Sequence, residues 1–365
     1  MNIGIDIREI EGGVRTGIGQ ALFGLIDYFC SCTDEHRAVL FSSKPVSGLP
    51  SSDRIRQYVI AEKNTLVWDQ ITLARQCSIH HVDLFYSPYY KTPLLAPCPT
   101  ISTIFDVMYL TFDLYRSSMP CHKRLYFLSM GRLFAHRSHL ILTCSDYSKQ
   151  EIIKIFGVDQ DKIRVINLGI SNNFTNTTSA DDESILKRLG IVGDYLLYMG
   201  NQKPHKNING LVSAFDHVKQ SKPNLCLVIA GSPGTLLPPN ALQNPDSTIT
   251  ITGAITQHEQ AALYRRAQCL IMPSFYEGFG YPPLEAMACG TPVVASNRTS
   301  LPEVVGAAAL LCDPSQPVTI ANAVLSILND SALKKQLIAK GLERARLFNS
   351  TRMAQQMYRA MLGQH

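Results

Sequence analysis

Short apolar runs rich in β-branched residues alternate with longer helical patterns along the whole chain of 365 residues. The runs predicted as strands are 2–7, 38–41, 84–86, 100–105 and 140–143, then 195–199, 225–230, 248–251, 269–272 and 292–295. The predicted helices are 19–29, 69–77, 123–134, 147–156, 207–219, 257–266, 283–289 and 318–328. This alternation is typical of an α/β protein whose parallel sheets are covered by helices on both faces.

A polar stretch without periodicity, 171–182, divides this pattern into two halves. Each half is long enough to bury a core of its own. We therefore predict two Rossmann-like domains, 1–175 and 176–349, whose parallel sheets face each other across a cleft. A helix at 350–365 is expected to pack back toward the first domain. Open α/β sheets bind ligands at the carboxyl ends of their strands, which is where we expect the site.

Composition narrows the class of protein further. Apolar residues make up 45% of the chain and charged residues 17%, as in ordinary globular proteins. The formal net charge of +5 suits an acidic substrate or an anionic membrane surface. A surplus of basic surface residues that only keeps the protein soluble explains the charge equally well. No nucleic-acid-binding motif is present. Ten cysteines are scattered without a C-x-x-C pair, so we expect buried thiols in a reducing compartment.

Two features bear on membranes. The N-terminus carries Asp6 where a signal peptide would be basic, and no apolar run reaches about 18 residues, so we expect a cytoplasmic protein. The segment 116–139 has several basic residues, interleaved apolar residues and no acid. A basic amphipathic helix can contact the anionic lipids on the inner face of the cytoplasmic membrane. It can also bind an acceptor that is a lipid diphosphate. An interdomain or core-flanking helix with a solvated basic face is an equal alternative.

The most informative stretch is 272–295, MPSFYEGFGYPPLEAMACGTPVVA. A predicted strand leads into a glycine-bearing loop, and a helix is expected to open at Pro282, since proline suits a first helical turn. Loop amides at a helix N-terminus can bind an anion such as a diphosphate. Glu277 in the loop and Glu285, placed within the first turn, can accept hydrogen bonds from vicinal hydroxyls. In the alternative, Glu277 caps a turn and Glu285 is a surface residue.

This stretch resembles the E-x7-E segment of glycosyltransferase family 4, which are retaining enzymes of the GT-B fold. The resemblance continues in NRTSLPEVVG at 297–306, SDYSK at 145–149 and NLGI at 167–170, and Trp68 and Ser87-Pro88 resemble the branch that holds many O-antigen mannosyltransferases. It implies that Glu277 contacts the donor sugar's hydroxyls and that Glu285 holds the ribose. It also implies that the backbone amides around Phe279 and Gly280 approach the sugar and phosphate, and that Tyr281 belongs to the donor site.

A second group of candidates lies in YMGNQKPHKN at 198–207. A lysine at a helix start opposes the macrodipole, so Lys206 is predicted to share a bound anion with the helix amides. A fixed ammonium there would stabilise charge on a leaving diphosphate, and the resemblance implies the same role. Asn201 is predicted to bind the donor, although Asn201 and His205 stand where the family often has arginine. Lys203 is a candidate to compensate. A plain surface lysine is the alternative for Lys206.

The first half contributes two further candidates. Gly17 and Gly19, in a predicted loop at 12–20, would let the backbone approach a ligand. The loop is too long for a dinucleotide fingerprint. The resemblance implies that it closes over the donor phosphates; a flexible loop with turn glycines is the alternative. After the strand at 100–105, Phe105 stands where many relatives have histidine. Asp106 is expected to orient the acceptor hydroxyl or to cap the following turn.

These observations predict a retaining glycosyltransferase that moves a hexose, mannose from GDP-mannose, onto a glycan or lipid-linked glycan during surface polysaccharide synthesis. The donor is a nucleotide diphosphate sugar. We expect no cofactor and no essential metal, because no Asp-x-Asp pair lies in a plausible loop. Two alternatives stay open: a nucleotide-sugar epimerase or phosphorylase of the same fold, and a catalytically silent sugar-nucleotide binding protein.

Overall fold

The computed structural model describes residues 1–12, 16–231 and 248–364. The chain divides into two compact units, Met1–Gly169 with Ser350–His365, and Ile170–Asn349. The first unit is therefore interrupted in sequence by the second. Its continuous part ends at Gly169, ahead of the boundary predicted at 175.

The first unit is built on a parallel sheet in the order β3-β2-β1-β4-β5-β6-β7. Its strands are β1 (Asn2–Asp6), β2 (Arg37–Ser42), β3 (Ile55–Val59), β4 (Leu84–Ser87), β5 (Thr100–Thr103), β6 (Leu140–Thr143) and β7 (Ile163–Val165). The central strands are short and buried on both faces, which explains their continuous apolar runs. The strand order reverses between β1 and β4, so the topological switch point of this unit lies between their carboxyl ends.

Helices flank this sheet, with a π-helix at Trp68–Thr72. They are α1 (Gly17–Ser31), α2 (Thr65–Val67), α3 (Leu73–Ile79), α4 (Met108–Thr111), α5 (Asp113–Ser118), α6 (Cys121–Arg137) and α7 (Asp146–Phe156). Helix α7 shows how local sequence sets the boundaries. The hydroxyl of Ser145 accepts a hydrogen bond from the Ser148 N–H at its start, and Gly157 ends it at φ 67°.

The second unit has a parallel sheet in the order β10-β9-β8-β11-β12-β13. Its strands are β8 (Tyr195–Met199), β9 (Cys226–Ala230), β10 (Ile249–Gly253), β11 (Cys269–Met272), β12 (Val293–Ser296) and β13 (Leu310–Cys312). The described helices are α8 (Asp182–Arg188), α9 (Ile208–Ser221), α10 (Gln257–Arg266), α11 (Tyr281–Ala288), α12 (Leu301–Val305), α13 (Pro317–Asn329) and α14 (Ser331–Arg346). Here the strand order reverses between β8 and β11.

A last helix, α15 (Ser350–Met361), belongs to the first unit and packs against α1. The ring of Tyr358 meets the ring of Phe29 edge to face, with centroids 4.8 Å apart. Its hydroxyl donates a hydrogen bond to Asp34. Met353 and Met357 are buried as well. The apolar side of α15 thus completes the core of the first unit.

The prediction of parallel α/β sheets is confirmed. The strands that the pattern missed, β3, β7 and β13, all lie at sheet edges, where fewer apolar residues are needed. The cysteine prediction is only partly right: five are buried, four are half-buried, and Cys121 is exposed. A short apolar run therefore identifies a central strand better than an edge strand.

Candidate functional site

The switch point of the second unit brings two predicted residues into contact. Lys206 follows β8, and Glu277 follows the neighbouring strand β11. The Lys206 Nζ and Glu277 Oε1 atoms are 2.6 Å apart, and their side chains are only 12% and 11% exposed. The structure therefore places a partly buried cation–carboxylate pair where an open α/β sheet binds its ligand.

The residues on either side of Lys206 fix its position. The backbone carbonyl of His205 accepts a hydrogen bond from the Phe275 N–H at 2.7 Å. Asn207 has a left-handed backbone, with φ 59°, and its side chain caps α9 by accepting from the Gly210 N–H. The Asn207 amide also donates to the Pro273 and Pro314 carbonyls, at 3.1 and 2.6 Å. The loop after β8 is thus tied to the loop after β11.

The backbone of Glu277 is held on both sides by the loop after β12. Its N–H donates to the Thr299 Oγ1 atom at 3.0 Å. The Ser300 hydroxyl shares its one proton between the carbonyls of Glu277 and Phe279, each of which lies 2.9 Å from the Oγ atom. Sequence reasoning did not assign Thr299 and Ser300 a role, although 297–306 was part of the resemblance. Together they hold the Glu277 backbone rigidly opposite Lys206.

Gly280 is the N-cap of α11 and has φ 109°. A Cβ atom there would lie 2.7 Å from the Leu301 Cδ2 atom, which would have to shift, and the positive φ by itself strongly favours glycine. The side chain of Phe279 is buried, whereas Tyr281 is half-buried and already part of the helix. Any ligand contact by Phe279 and Gly280 is therefore made by backbone, as the resemblance implied.

Glu285 lies one residue further into α11 than predicted, because the helix begins at Tyr281 and not at Pro282. It therefore falls in the second turn, and the first-turn placement is wrong. The surface alternative is also wrong, because the residue is 4% exposed. Its Oε2 atom accepts hydrogen bonds from Gln260 Nε2 at 2.7 Å and from the Tyr264 hydroxyl at 2.8 Å. The Glu285 Oε1 atom accepts no hydrogen bond from the described residues, so it can accept one from a ligand.

The burial of Glu285 predicts a pH-dependent stability. Burial raises its pKa to about 7 from an ordinary value of 4.5, only partly offset by the Tyr264 hydrogen bond. The native state therefore retains a proton that the unfolded chain loses first. Its favourable contribution is complete below pH 4.5 and is lost as pH rises through 7, with an amplitude on the order of 3 kcal/mol.

We expect Glu285→Gln, which keeps a neutral side chain, to flatten this dependence. The measurement is the free energy of unfolding by denaturant at several pH values between 5 and 8. Glu343→Gln, an exposed site on α14, is the matched control and should keep the wild-type slope. Equal slopes for wild type and Glu285→Gln would show that Glu285 ionises as an ordinary carboxyl does.

Asn201 and His205, which stand where the family often has arginine, differ in their exposure to solvent. Asn201 is exposed, and its side chain accepts a hydrogen bond from the Lys203 N–H at 3.3 Å. His205 is buried, and burial, together with the charge of Lys206, lowers its pKa to about 4. His205 is therefore neutral near pH 7 and cannot replace the arginine charge. Lys203 is exposed in the same loop and keeps the predicted compensating role as a hypothesis.

Two buried polar atoms near this switch point find no hydrogen-bond partner among the described residues. They are the Gln202 Oε1 atom, in the loop after β8, and the Ser274 hydroxyl, just after β11. Their residues are only 3% and 0% exposed. Buried polar groups are nearly always satisfied, so each requires a partner such as a bound ligand or water.

The glycines predicted in the first unit lie in a helix. Helix α1 begins at Gly17, two residues before the predicted helix at 19–29, so the predicted loop at 12–20 extends too far into the helix. The Thr16 hydroxyl caps this helix by accepting from the Gly19 N–H at 3.0 Å. Residues 13–15, the middle of the predicted loop, lie outside the described residues. Gly17 and Gly19 are thus placed at a helix N-terminus.

Asp106 follows a strand that is shorter than predicted. Strand β5 ends at Thr103, although the Ile104 N–H still donates to the Leu142 carbonyl. The Asp106 Oδ1 atom accepts a hydrogen bond from the Met108 N–H at 3.0 Å, immediately before α4. The turn-capping alternative is therefore observed, and the acceptor-orienting role remains a prediction. Phe105, in the place of the family's histidine, is half-buried.

The switch point of the first unit carries a charged cluster that sequence reasoning missed. The Arg8 guanidinium lies between Asp6, at 2.7 Å, and Asp69, at 2.6 Å, and 4.9 Å above the Trp68 ring. Lys91 Nζ is 3.7 Å from Asp69. Arg8 and Asp69 are 61 positions apart in the sequence, so no local pattern reveals their contact. Of these residues, only Trp68 was part of the family resemblance.

The basic segment 116–139 covers the end of α5 and all of α6. One side of α6, with Gly131, Phe134 and Ala135, is buried in the first unit. The other side exposes large apolar side chains between its cations: Leu125 is 67% exposed, Tyr126 50% and Leu133 46%. The helix thus flanks the core and also presents a mixed basic and apolar surface.

Comparison with solved structures defines the class of fold. HepE of Anabaena, in complex with UDP and glucose, aligns over 100% of both chains with a TM-score of 0.77 at 18% identity. WaaG, a glycosyltransferase involved in lipopolysaccharide biosynthesis, aligns over 100% of both chains with a TM-score of 0.75 at 13% identity. At such identities the likeness shows the fold alone. It is the GT-B fold of glycosyltransferases, as predicted.

Sequence comparison gives the family. Residues 182–344 match the model for glycosyl transferases group 1, and residues 34–174 match that for glycosyltransferase family 4. O-antigen chain mannosyltransferase B of Escherichia coli is 32% identical over 277 residues, 74% of this chain and 70% of the relative. The serotype-specific mannosyltransferase WbdA of Escherichia coli is 28% identical over 222 residues, 58% of this chain but 27% of the relative. The chain belongs to glycosyltransferase family 4, and it is a glycosyltransferase.

Proposed function

We propose that the protein transfers mannose from GDP-mannose to a glycan or lipid-linked glycan, with retention of anomeric configuration, in surface polysaccharide synthesis. The observation that carries this proposal is the Lys206–Glu277 pair, held at 2.6 Å on the ligand-binding edge of the second sheet. An ammonium and a carboxylate side by side match a donor that is both phosphorylated and polyhydroxyl. The mannose specificity is supported by the names of the two relatives from Escherichia coli.

Each site residue has one task in the proposed reaction. The bond between the anomeric carbon and the diphosphate oxygen breaks, and a bond from the acceptor hydroxyl oxygen to that carbon forms. Lys206 stabilises the negative charge that develops on the leaving diphosphate. Glu277 accepts hydrogen bonds from the donor sugar's hydroxyls, and Glu285 Oε1 accepts from the ribose. The acceptor proton passes to an oxygen of the departing diphosphate, so no side chain is required as a base.

The test is a donor panel with and without a mannose-containing acceptor. We expect GDP-mannose to raise the melting temperature more than other sugar nucleotides, because a ligand bound only by the native state stabilises it. Turnover should require acceptor, and the new linkage should have the α configuration of the donor. Donor conversion without acceptor would indicate an epimerase, and conversion with inorganic phosphate a phosphorylase. Binding without any turnover would indicate a silent sugar-nucleotide binding protein.

We propose further that no divalent metal is needed, because Lys206 neutralises the diphosphate. The chain has an Asp-x-Asp sequence at Asp159–Asp161, but it precedes the amino end of β7, away from the carboxyl edge of the sheet. There the Asp159 side chain caps a turn by accepting from the Asp161 N–H. We expect turnover to be unchanged after treatment with EDTA. Loss of turnover that magnesium or manganese restores would contradict this.

We also propose that the enzyme works at the inner face of the cytoplasmic membrane and that α6 contacts anionic lipid there. Within the described ranges, no helix is long and apolar enough to cross a membrane. The exposed side of α6 combines Lys123, Arg124 and Arg132 with Leu125 and Tyr126. Each basic residue near an anionic surface contributes about 1 kcal/mol, and salt screens this attraction.

We expect the protein to sediment with vesicles that contain anionic lipid and to be released as salt rises. Replacing Lys123, Arg124 and Arg132 by glutamine should weaken this binding severalfold or more. The matched control replaces three exposed lysines of the second unit, Lys187, Lys335 and Lys340, and should bind normally. If the α6 variant instead impairs use of a soluble acceptor, and wild type does not bind vesicles, the helix serves the acceptor. Vesicle binding that persists at about 1 M salt would contradict the electrostatic mechanism.

A further inference from the structure

We propose that Glu277 competes with the nucleotide diphosphate for Lys206, and that re-formation of their ion pair helps to expel the nucleotide after the sugar has left. This inference rests on the proposed function, since it assumes that both residues touch the donor. It assigns Glu277 a second role: it makes the site discriminate between the intact donor and the spent nucleotide.

The Lys206–Glu277 pair is held in place by its neighbours but still has hydrogen-bond donors and an acceptor that a ligand can use. The neighbours of Lys206 are tied to the loop after β11, and the Glu277 backbone is tied to Thr299 and Ser300. Among the described residues, Lys206 Nζ has no hydrogen-bond acceptor other than Glu277 Oε1. The Glu277 Oε2 atom likewise accepts no hydrogen bond from them. Two ammonium protons and one carboxylate oxygen therefore remain for a ligand.

The charges explain why the two ligands differ. An intact donor offers phosphate oxygens to Lys206 and sugar hydroxyls to Glu277, so both buried groups keep partners. A nucleotide diphosphate without the sugar shares the Lys206 ammonium with Glu277 or displaces that carboxylate, and it offers Glu277 no hydroxyl in exchange. An unpaired charge in a site this buried is unfavourable, and the added negative charge of the phosphates repels it. The pair therefore opposes the product more strongly than the donor.

The direction of one affinity change tests this inference. If the Glu277 carboxylate had no effect on the phosphates bound by Lys206, removing its charge would leave nucleotide binding unchanged. If they compete, Glu277→Gln frees Lys206 and strengthens nucleotide binding. The amide can still accept a hydrogen bond from Lys206, but it carries no charge to hold it. We expect GDP, and UDP as a second probe, to bind this variant about tenfold more tightly than wild type.

The experiment measures dissociation constants by calorimetry for GDP and GDP-mannose, and the dissociation rate of a fluorescent GDP by stopped flow. In Glu277→Gln the gain in affinity should be smaller for GDP-mannose than for GDP, because the variant also loses the contact to the sugar. GDP release should slow by about the same factor as its affinity rises. Glu303→Gln, on α12, is the matched control: it removes the same charge from the same unit and should leave GDP affinity unchanged.

Unchanged or weaker GDP binding by Glu277→Gln would overturn the inference, as would an equal gain in the Glu303→Gln control. Should Glu277→Gln fold poorly, Glu277→Asp serves instead. It keeps the charge but shortens the reach, so it should strengthen GDP binding by a smaller factor. Failure of the proposed function would appear separately, as a wild-type protein that binds GDP but transfers no sugar with any donor.

Discussion

Glu277→Gln is expected to lower sugar transfer by roughly a thousandfold or more, with little change in melting temperature. The substitution removes the carboxylate charge that, in the proposed reaction, accepts hydrogen bonds from the donor sugar. The fold should tolerate it because the backbone bonds to Thr299 and Ser300 do not involve the carboxylate. The amide oxygen can also still accept the hydrogen bond from Lys206. The measurement is turnover alongside a thermal melting curve.

The same chemical change at a surface position provides the control. Glu343→Gln on α14 alters an exposed side chain and should leave both turnover and melting temperature as in wild type. Near wild-type turnover in Glu277→Gln would remove Glu277 from the active site, whatever its contact with Lys206.

Lys206→Ala is expected to lower turnover by roughly a hundredfold or more, the effect of removing one preorganised electrostatic stabiliser. Affinity for GDP or UDP should fall as well, opposite to the change expected for Glu277→Gln. The variant should also melt at a lower temperature, because it leaves the mostly buried Glu277 carboxylate without its ion-pair partner. Turnover, nucleotide affinity and melting temperature are the three measurements.

A neighbouring cation tests whether position or charge matters. Lys203 lies in the same loop but is exposed, so Lys203→Ala should cost much less turnover than Lys206→Ala if a fixed ammonium is required. Equal losses would show that Lys203 carries the compensating role suggested by the missing arginine. Unchanged nucleotide affinity in Lys206→Ala would mean that Lys206 does not touch the phosphates.

The sequence predicted the main elements of this site because they follow local rules. Strands β8 and β11 are buried on both faces, so their apolar runs are continuous. Parallel neighbours end at the same edge, which is why Lys206 and Glu277 could be expected near one another. The error at Glu285 has a local cause too. Tyr281 is already helical because Gly280 caps α11, and this earlier start moves Glu285 into the second turn.

The remaining contacts could not be predicted from local patterns, because they join residues far apart in sequence. Thr299 supports Glu277 across 22 positions, and Tyr264 reaches Glu285 across 21. Polar side chains such as these occur in many loops and helices, and only the fold decides which of them meet. The edge strands β3, β7 and β13 were missed for a related reason, since their half-buried faces weaken the apolar signal.

The place of α15 in the chain has a consequence for the order of events during synthesis. Residues 1–169 leave the ribosome first, yet the side of α1 that Met353 and Tyr358 cover stays open until 350–361 have emerged. By then 170–349, an uninterrupted unit, has been released in full, and domains generally fold as units. The unit whose chain is synthesised first is thus the last to complete its folding. Limited proteolysis of a chain stopped at Asn349 would reveal this: the first unit should be cut before the second.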